Sequence, residues 1–178
     1  MNLKKIKILS IFLTFSLCFI FHFAYSFFPN FIFSLFFPVN ESIWEHMKMM
    51  CSSILVSEGV IYFLLKKYRI NHNNFLLNVF IMCLLSIVIF LIIYYPFYLL
   101  IGENFILNVL CLFITICIVN YIGYKILNYI HIDNGSLIGF VGIVLLYIIF
   151  GILTYFPPKY NIFYDKVKEK YGINNYKV

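Results

Sequence analysis

The sequence predicts an all-α integral membrane protein, a bundle of five transmembrane helices with its amino terminus in the cytoplasm. The chain has 178 residues, of which 63% are hydrophobic and only 11% are charged, and its mean hydropathy is +0.96. Soluble domains carry about 25% charged residues. A small protein has a high ratio of surface to volume, so a chain of this length cannot bury such a large fraction of apolar side chains in its interior. The composition therefore excludes a soluble enzyme, a nucleic-acid-binding protein and a disulfide-rich secreted module. The chain is expected to be embedded in the lipid bilayer, which is therefore its predicted partner.

Five apolar segments are long enough to cross a hydrocarbon core, which takes roughly 20 helical residues. They are predicted at residues 8–28, 42–65, 75–94, 105–124 and 137–156. The second is closed by Lys66, the third by Pro96 and the fifth by Pro157. Because the connections are short, residues 1–156 are expected to form a single domain. Residues 157–178 are expected to form an extracytoplasmic tail that packs on the outer face.

Basic residues predict the orientation. Lysines precede the first segment, and the loop 66–69 follows the second, so the two clusters share one face of the membrane. The loops at 29–41 and 95–104 contain no Lys or Arg. Since basic loops stay inside, this face is expected to be cytoplasmic. The five segments make the chain an expected multi-pass protein of the cell membrane. Five lysines in the tail argue against an outer position for it. The basic loops also hold His72 and His131, which are expected to be solvated.

An alternative interpretation treats residues 1–26 as a signal peptide with a small-x-small cleavage site at its end; the remaining crossings keep their orientation. The five cysteines lie within apolar stretches without metal-type spacing. They are interpreted as small hydrophobic residues, and the sequence predicts no disulfide, metal or cofactor.

Polar residues concentrate where the second segment begins, in the run Pro38-Val-Asn-Glu-Ser-Ile-Trp-Glu-His-Met-Lys48. A charged side chain within a membrane helix costs roughly 2.5–3.5 kcal/mol on insertion scales, so it needs a partner or a wet cavity. Part of the run only starts a helix: Ser42 and Glu45 fit a capping box, Asn40 is a second candidate cap, and Trp44 suits the membrane interface.

Helical spacing predicts how these residues meet. One stripe of the second segment holds Glu41, Glu45, Lys48 and Ser52, and a neighbouring stripe holds Ser42, His46, Ser53 and Ser57. The first segment presents small and polar residues at every fourth position, ending at His22, with Tyr25 one turn beyond. We therefore expect one outward-facing pocket, made by His22, Tyr25, Glu41, Glu45, His46 and Lys48. Asp165 of the tail and Glu103 are further candidates, and Glu58 is expected to pair with Lys66 or Lys67.

These motifs resemble a known family. His22-Phe-Ala-Tyr25 followed by the Pro38–Lys48 run is similar to a bacterial family of multi-spanning membrane proteins without an assigned function, domain of unknown function 6512. Its members tend to end with segments that appear here as Tyr155-Phe-Pro-Pro, Phe163-Tyr-Asp and Tyr171-Gly-Ile. Residues 174–178 extend past the usual end. The resemblance implies a membrane protein and supplies no reaction.

Three functions are compatible with the polar cluster. The first is a structural ion-pair network. The second is a hydrolase at the outer leaflet, with His22, Glu45 and His46 as catalytic residues; a shared metal is disfavoured there because Glu45 and His46 point about 100° apart. The third is a small-solute binding or transport subunit, which requires a homo-oligomer or a partner membrane subunit. The predicted binding residues are Tyr25, Asn40, Glu41, Trp44, Lys48 and Asp165.

Overall fold

The structure, a computed structural model, describes residues 1–70, 72, 74–130 and 132–173. Expectations for His131 and for 174–178 therefore lie outside the described residues. Within the described residues the chain forms helices α1 (Leu3–His22), α2 (Ala24–Phe27), α3 (Phe31–Phe36), α4 (Ile43–Lys67), α5 (Phe75–Ile101), α6 (Phe105–Tyr129) and α7 (Gly135–Tyr155). A short 3-10 helix (Asn161–Phe163) leads into two paired antiparallel strands, β1 (Tyr164–Asp165) and β2 (Lys170–Tyr171).

Five stretches of the described chain are long and apolar enough to cross a membrane: Leu3–Phe27, Ile43–Lys67, Phe75–Ile101, Phe105–Tyr129 and Gly135–Tyr155. The predicted all-α membrane fold is therefore confirmed. The prediction that the third helix stops before Pro96 is wrong, because α5 continues through it. A proline removes one backbone hydrogen bond, and transmembrane helices tolerate this loss where their surroundings satisfy the freed group.

The helices pack as a ring of four with a fifth outside it. Helix α1 contacts α4 and α6, while α5 contacts α4, α6 and α7. The ring α1–α4–α5–α6 encloses a core of fully buried side chains that includes Met47, Ile54, Ile61, Met82 and Ile116. Helix α4 crosses this core, which explains why its polar residues meet protein on more than one side.

A polar seam joins α1 to α4. The hydroxyl oxygens of Thr14 and Ser57 lie 2.6 Å apart, and Ser10 donates a 2.7 Å hydrogen bond to Glu58. Lys7 Nζ lies 2.8 Å from each carboxylate oxygen of Glu58. The expected pairing of Glu58 with Lys66 or Lys67 is therefore wrong. Lys7 precedes Ser10 by one turn on the same face of α1, whereas Lys66 lies about 12 Å farther along α4.

The connection between the first two spanning segments is partly helical. Helix α1 is interrupted at Phe23, and α3 forms within a segment that was predicted to be a simple loop. Asn30 caps α3 by accepting a 3.0 Å bond from Phe33 N. Helix α3 packs on α7, where the Ser34 hydroxyl lies 2.8 Å from the Tyr155 phenol oxygen. This connection thereby brings α7 to the start of α4.

Candidate functional site

Helix α4 begins at Ile43, two residues later than a polar stripe that includes Glu41 requires. Ser42 is its N-cap and accepts a 3.4 Å bond from the Glu45 N–H, as the capping box predicts. The reciprocal half of the box is not formed: Ser42 N donates to Asn40 Oδ1 at 2.9 Å, and the Glu45 carboxylate accepts from Val39 N at 3.1 Å. Glu41 therefore precedes the helix. Its backbone is not helical, so it leaves the stripe of Glu45 and Lys48.

Glu45 and Lys48 form a closed, buried network. Lys48 Nζ lies 2.6 Å from Glu45 Oε2 and donates to Ser34 O at 2.7 Å and to Thr154 Oγ1 at 2.8 Å. The Thr154 hydroxyl in turn donates to Glu45 Oε1 at 2.8 Å. An ammonium has three N–H donors, so every donor of Lys48 is used. Glu45 is 1% exposed and Lys48 0%, which leaves neither group available to a ligand.

Glu41 instead joins the two histidines. Glu41 Oε2 lies 3.2 Å from His22 Nε2 and 3.7 Å from His46 Nε2. One ligand-type atom from each of the three residues lies within 4.8 Å of the other two. All three side chains are partly exposed: 28% for His22, 33% for Glu41 and 12% for His46. This cluster, here called the His–Glu–His cluster, is therefore accessible where the Glu45–Lys48 network is not.

Hydrogen bonds orient the ring of His46 and favour the anionic form of Glu41. His46 Nδ1 lies 2.9 Å from the Ser42 carbonyl oxygen. A carbonyl only accepts, so Nδ1 carries a proton, and Nε2 is the ring nitrogen that faces Glu41. A hydrogen bond from His22 lowers the pKa of the Glu41 carboxyl; partial burial opposes this shift, and the nearby His46 and Lys168 reinforce it. Glu41 is thus held as a carboxylate.

A cavity of about 530 Å³ opens beside the cluster. Its polar end is lined by His22, Glu41, His46, Glu103 and Asn108. Its remaining wall is apolar and includes Cys18, Phe19, Phe23, Met49, Phe105, Val109 and Leu112. The phenylalanines are exposed on the outer surface of α1 and α6. The cavity therefore has exposed apolar side chains along one part of its wall and the His–Glu–His cluster at its polar end.

The carboxy-terminal segment holds the cluster's loop in place. Asp165 is fully buried and accepts a 2.9 Å hydrogen bond from the Glu41 N–H. Asn40 Nδ2 donates to Gly172 O at 3.0 Å, and Ile173 N donates to Thr154 O at 3.1 Å. The described part of the tail thus packs at the same end of the bundle as Glu41.

The structure divides the single predicted pocket into two sites. His22, Glu41 and His46 face the cavity, whereas Glu45 and Lys48 face α3 and α7. The expectation that all six residues converge is wrong, because α4 begins after Glu41 and its two polar stripes face different neighbours. Tyr25 lies in α2 near Tyr155. Trp44 packs between the rings of Phe150 and Phe163, each 5.2 Å away, so it is not a simple interface residue.

Some residues of the two sites were not predicted from the sequence. Thr154 and the Ser34 carbonyl complete the buried network, and Asn108 and Leu112 line the cavity. Spacing along one helix cannot identify such partners, since they come from elements distant in sequence. Lys7 had a readable signal, because it continues the spacing of Ser10 and Thr14 towards the amino terminus.

The comparisons with known proteins concern the whole chain. Neither a curated protein nor a solved structure matches it. A protein-family model matches residues 1–173, a range that includes every helix described above, the two polar sites and the described tail. The chain belongs to the family of unknown function DUF6512.

Proposed function

We propose that the protein binds an amphipathic lipid in the cavity between α1, α4 and α6, with the lipid's polar end at the His–Glu–His cluster. The observation that supports this most directly is the form of the cavity. Its volume of about 530 Å³ lies within the roughly 300–1,000 Å³ of ligand sites, which are mostly apolar with a few convergent polar groups. An opening rimmed by Phe19, Phe23 and Phe105 admits a molecule from the bilayer more readily than from water.

Glu45 and Lys48 have a different role in this proposal. Their network is structural: it fixes the start of α4 against α3 and α7. A buried ion pair whose remaining lone pairs and protons are satisfied by further hydrogen bonds is the arrangement in which the cost of desolvation is offset. The absence of a free donor on Lys48 supports this assignment over a catalytic one for Glu45.

The site belongs on the outer face of the cell membrane. Lys4, Lys5 and Lys66 are exposed at the end of the bundle opposite the cluster, and basic residues of this kind mark the cytoplasmic side. The tail then lies outside together with Glu41. This orientation places the polar end of the cavity at the level of the outer-leaflet headgroups.

Retention of a lipid by the purified protein tests the proposal. Leu112→Trp fills the cavity, since Leu112 is 7% exposed and lines it. Ile114→Trp is the matched control on the same helix, at a position that is 45% exposed to the bilayer side. Each protein is equilibrated with an equal mixture of phosphatidylethanolamine and phosphatidylglycerol in detergent, then examined by native mass spectrometry. We expect one retained lipid for the wild type and Ile114→Trp and none for Leu112→Trp. Equal retention by all three would contradict the proposal.

A further inference from the structure

The His–Glu–His cluster has the composition of a metal site. Two imidazoles and one carboxylate are the protein ligands of His₂Glu zinc sites, which keep a fourth position open for water or substrate. Glu45 and His46 are adjacent on α4 and point about 100° apart, so these two residues do not share an ion. In the structure the carboxylate comes from Glu41, which lies outside the helix and turns towards both histidines.

The distances suit one ion. Zinc binds imidazole nitrogen and carboxylate oxygen at about 2.0–2.2 Å, which in a tetrahedron places neighbouring ligand atoms about 3.3–3.6 Å apart. Glu41 Oε2 lies 3.2 Å from His22 Nε2 and 3.7 Å from His46 Nε2. The two histidine rings have their centroids 5.3 Å apart. The three ligand atoms lie within 4.8 Å of one another, so the histidine side chains have to rotate towards each other to place all three atoms around one ion.

The surroundings of His46 provide a second, independent observation. Its Nδ1 lies 2.9 Å from the Ser42 carbonyl oxygen. Metal-binding histidines almost always donate their other ring N–H to a carbonyl or carboxylate, which fixes the tautomer and the ring orientation. The contact therefore supports Nε2 as a metal ligand. It is a feature that an ordinary ion pair between His46 and Glu41 does not require.

The charge of the cavity points the same way. Its polar end holds two carboxylates, Glu41 and Glu103, beside two histidines. Two carboxylates at this end of the cavity attract a cation.

We propose that His22, Glu41 and His46 bind one zinc ion, whose fourth position faces the cavity. That position takes an oxygen atom from water or from the headgroup of the bound molecule. The proposal deepens the proposed function and rests on the same cavity, since it assigns the chemistry that would hold the lipid's polar end.

Cobalt binding to the purified full-length protein tests the metal site. Co²⁺ substitutes for zinc and shows visible d–d bands whose intensity reports four-coordinate binding. We expect one Co²⁺ per chain for the wild type, displacement of the bands by one equivalent of Zn²⁺, and loss of the bands in His46→Gln and Glu41→Gln. The matched control is His72→Gln. His72 Nδ1 makes the same kind of contact, 3.1 Å from the Ile70 carbonyl oxygen, but His72 lies at the other end of the bundle.

Folding and binding are separated in the same experiment. Melting temperatures measured without metal establish that each variant is folded. Added Zn²⁺ is expected to raise the melting temperature of the wild type and of His72→Gln only, because a ligand stabilises the state that binds it. A Co²⁺ spectrum with a thiolate charge-transfer band would overturn the proposal, since it would place the ion on cysteine. Bands that persist in the folded His46→Gln and Glu41→Gln variants would overturn it as well.

The metal proposal and the lipid proposal fail separately. Retention of lipid by a wild-type protein that binds no Co²⁺ would overturn the metal site and leave the cavity proposal standing. Co²⁺ binding unchanged in Leu112→Trp, with equal lipid retention in all variants, would uphold the metal and refute the lipid.

Discussion

At the scale of single residues, two acidic side chains four positions apart have different surroundings. Glu45 is enclosed by Lys48, Thr154 and Val39 N, whereas Glu41 is one-third exposed beside two histidines. The cause is local. Ser42 caps α4, so Glu45 follows the helix into the protein interior, while Glu41 belongs to the loop that the tail holds.

Thr154 is the residue on which the buried network depends, because its hydroxyl both accepts from Lys48 and donates to Glu45. Thr154→Val keeps the shape and removes both bonds. We expect a loss of about 1–3 kcal/mol in stability, the usual cost of leaving a buried polar group unsatisfied. The measurement is thermal unfolding in detergent.

The control for that variant is Thr115→Val. Thr115 is equally buried, but its hydroxyl donates only to Cys111 O one turn earlier in α6. Such back-bonding adds little to helix stability. Equal melting temperatures for the two variants would show that the network contributes nothing specific.

Residue roles were predictable from the sequence only in part. The run from Asn40 to Lys48 identified where the polar residues lie, since charges within an apolar segment are rare and costly. The assignment of Glu41 to the stripe of Glu45 was wrong, because α4 begins at Ile43, two residues after Glu41, and a residue before the helix faces a different neighbour. The position of a cap depends on tertiary contacts such as that between Glu41 N and Asp165, which spacing does not encode.

At the scale of elements, the ion pair of Lys7 with Glu58 joins α1 to α4 inside the bundle. Lys7 is 3% exposed and Glu58 0%. Lys7→Met leaves the carboxylate buried without its partner and is expected to cost about 3–5 kcal/mol. The double variant Lys7→Met/Glu58→Met, which removes both charges, is expected to recover most of that loss.

The matched control for the ion pair is Lys5→Met, since Lys5 is exposed on the same helix. Its melting temperature is expected to equal that of the wild type. If Lys7→Met also melted like the wild type, or if the double variant were less stable than Lys7→Met, the seam would not depend on this pair.

Helix α7 packs on α5 through glycines. A Cβ added at Gly139 would collide with the backbone of Leu76 and Leu77, whereas one added at Gly59 on α4 meets open space. Gly139→Ala is therefore expected to separate α7 from α5 and lower the melting temperature. Gly59→Ala is expected to raise it slightly, because alanine is favoured over glycine in a helix interior by about 1 kcal/mol. If α7 packs on α5 through Gly139, the Gly→Ala substitution shifts the melting temperature downwards at Gly139 and upwards at Gly59.

The spacing of Gly135 and Gly139 is typical of a close contact between membrane helices, and the structure shows that the partner is α5. The sequence does not indicate α3, a six-residue helix. This helix lies in the connection between Pro29 and Pro38, which was predicted to be a loop. Helices this short depend on tertiary contacts rather than on intrinsic propensity, so the contact of α3 with α7 could not be foreseen.

At the scale of the whole molecule, the structure places the loop after α5 and the tail at one end of the bundle. Glu103, Tyr164 and Lys166 line a common pocket with Glu41. The loop after α4 follows a single crossing from Glu41 and lies at the other end. Glu103→Cys and Tyr160→Cys are therefore expected to behave alike, and Tyr68→Cys to differ from both.

A membrane-impermeant maleimide applied to intact cells measures this topology. We expect Glu103→Cys and Tyr160→Cys to be labelled at once and Tyr68→Cys only after permeabilisation. The wild-type protein is the control, since four of its natural thiols are buried and Cys117 lies within α6. Labelling of Glu103→Cys without Tyr160→Cys would contradict the arrangement of the tail.

The five crossings themselves were predictable because bilayer thickness imposes a minimum apolar length. Which helices become neighbours was not, since α1 meets both α4 and α6 while α7 packs outside the ring. The cavity arises from that arrangement: its lining comes from α1, α4, α6 and the loop before α4. The cavity therefore cannot be predicted from the sequence of any single segment.

The polar residues are divided between a structural network and a proposed ligand site. Melting temperature and lipid retention, measured together on Thr154→Val and His46→Gln, test this division. We expect Thr154→Val to melt at a lower temperature yet still retain lipid, and His46→Gln to melt like the wild type yet retain less lipid. If the two variants changed both quantities in parallel, the division would be contradicted and the polar residues would form one structural unit.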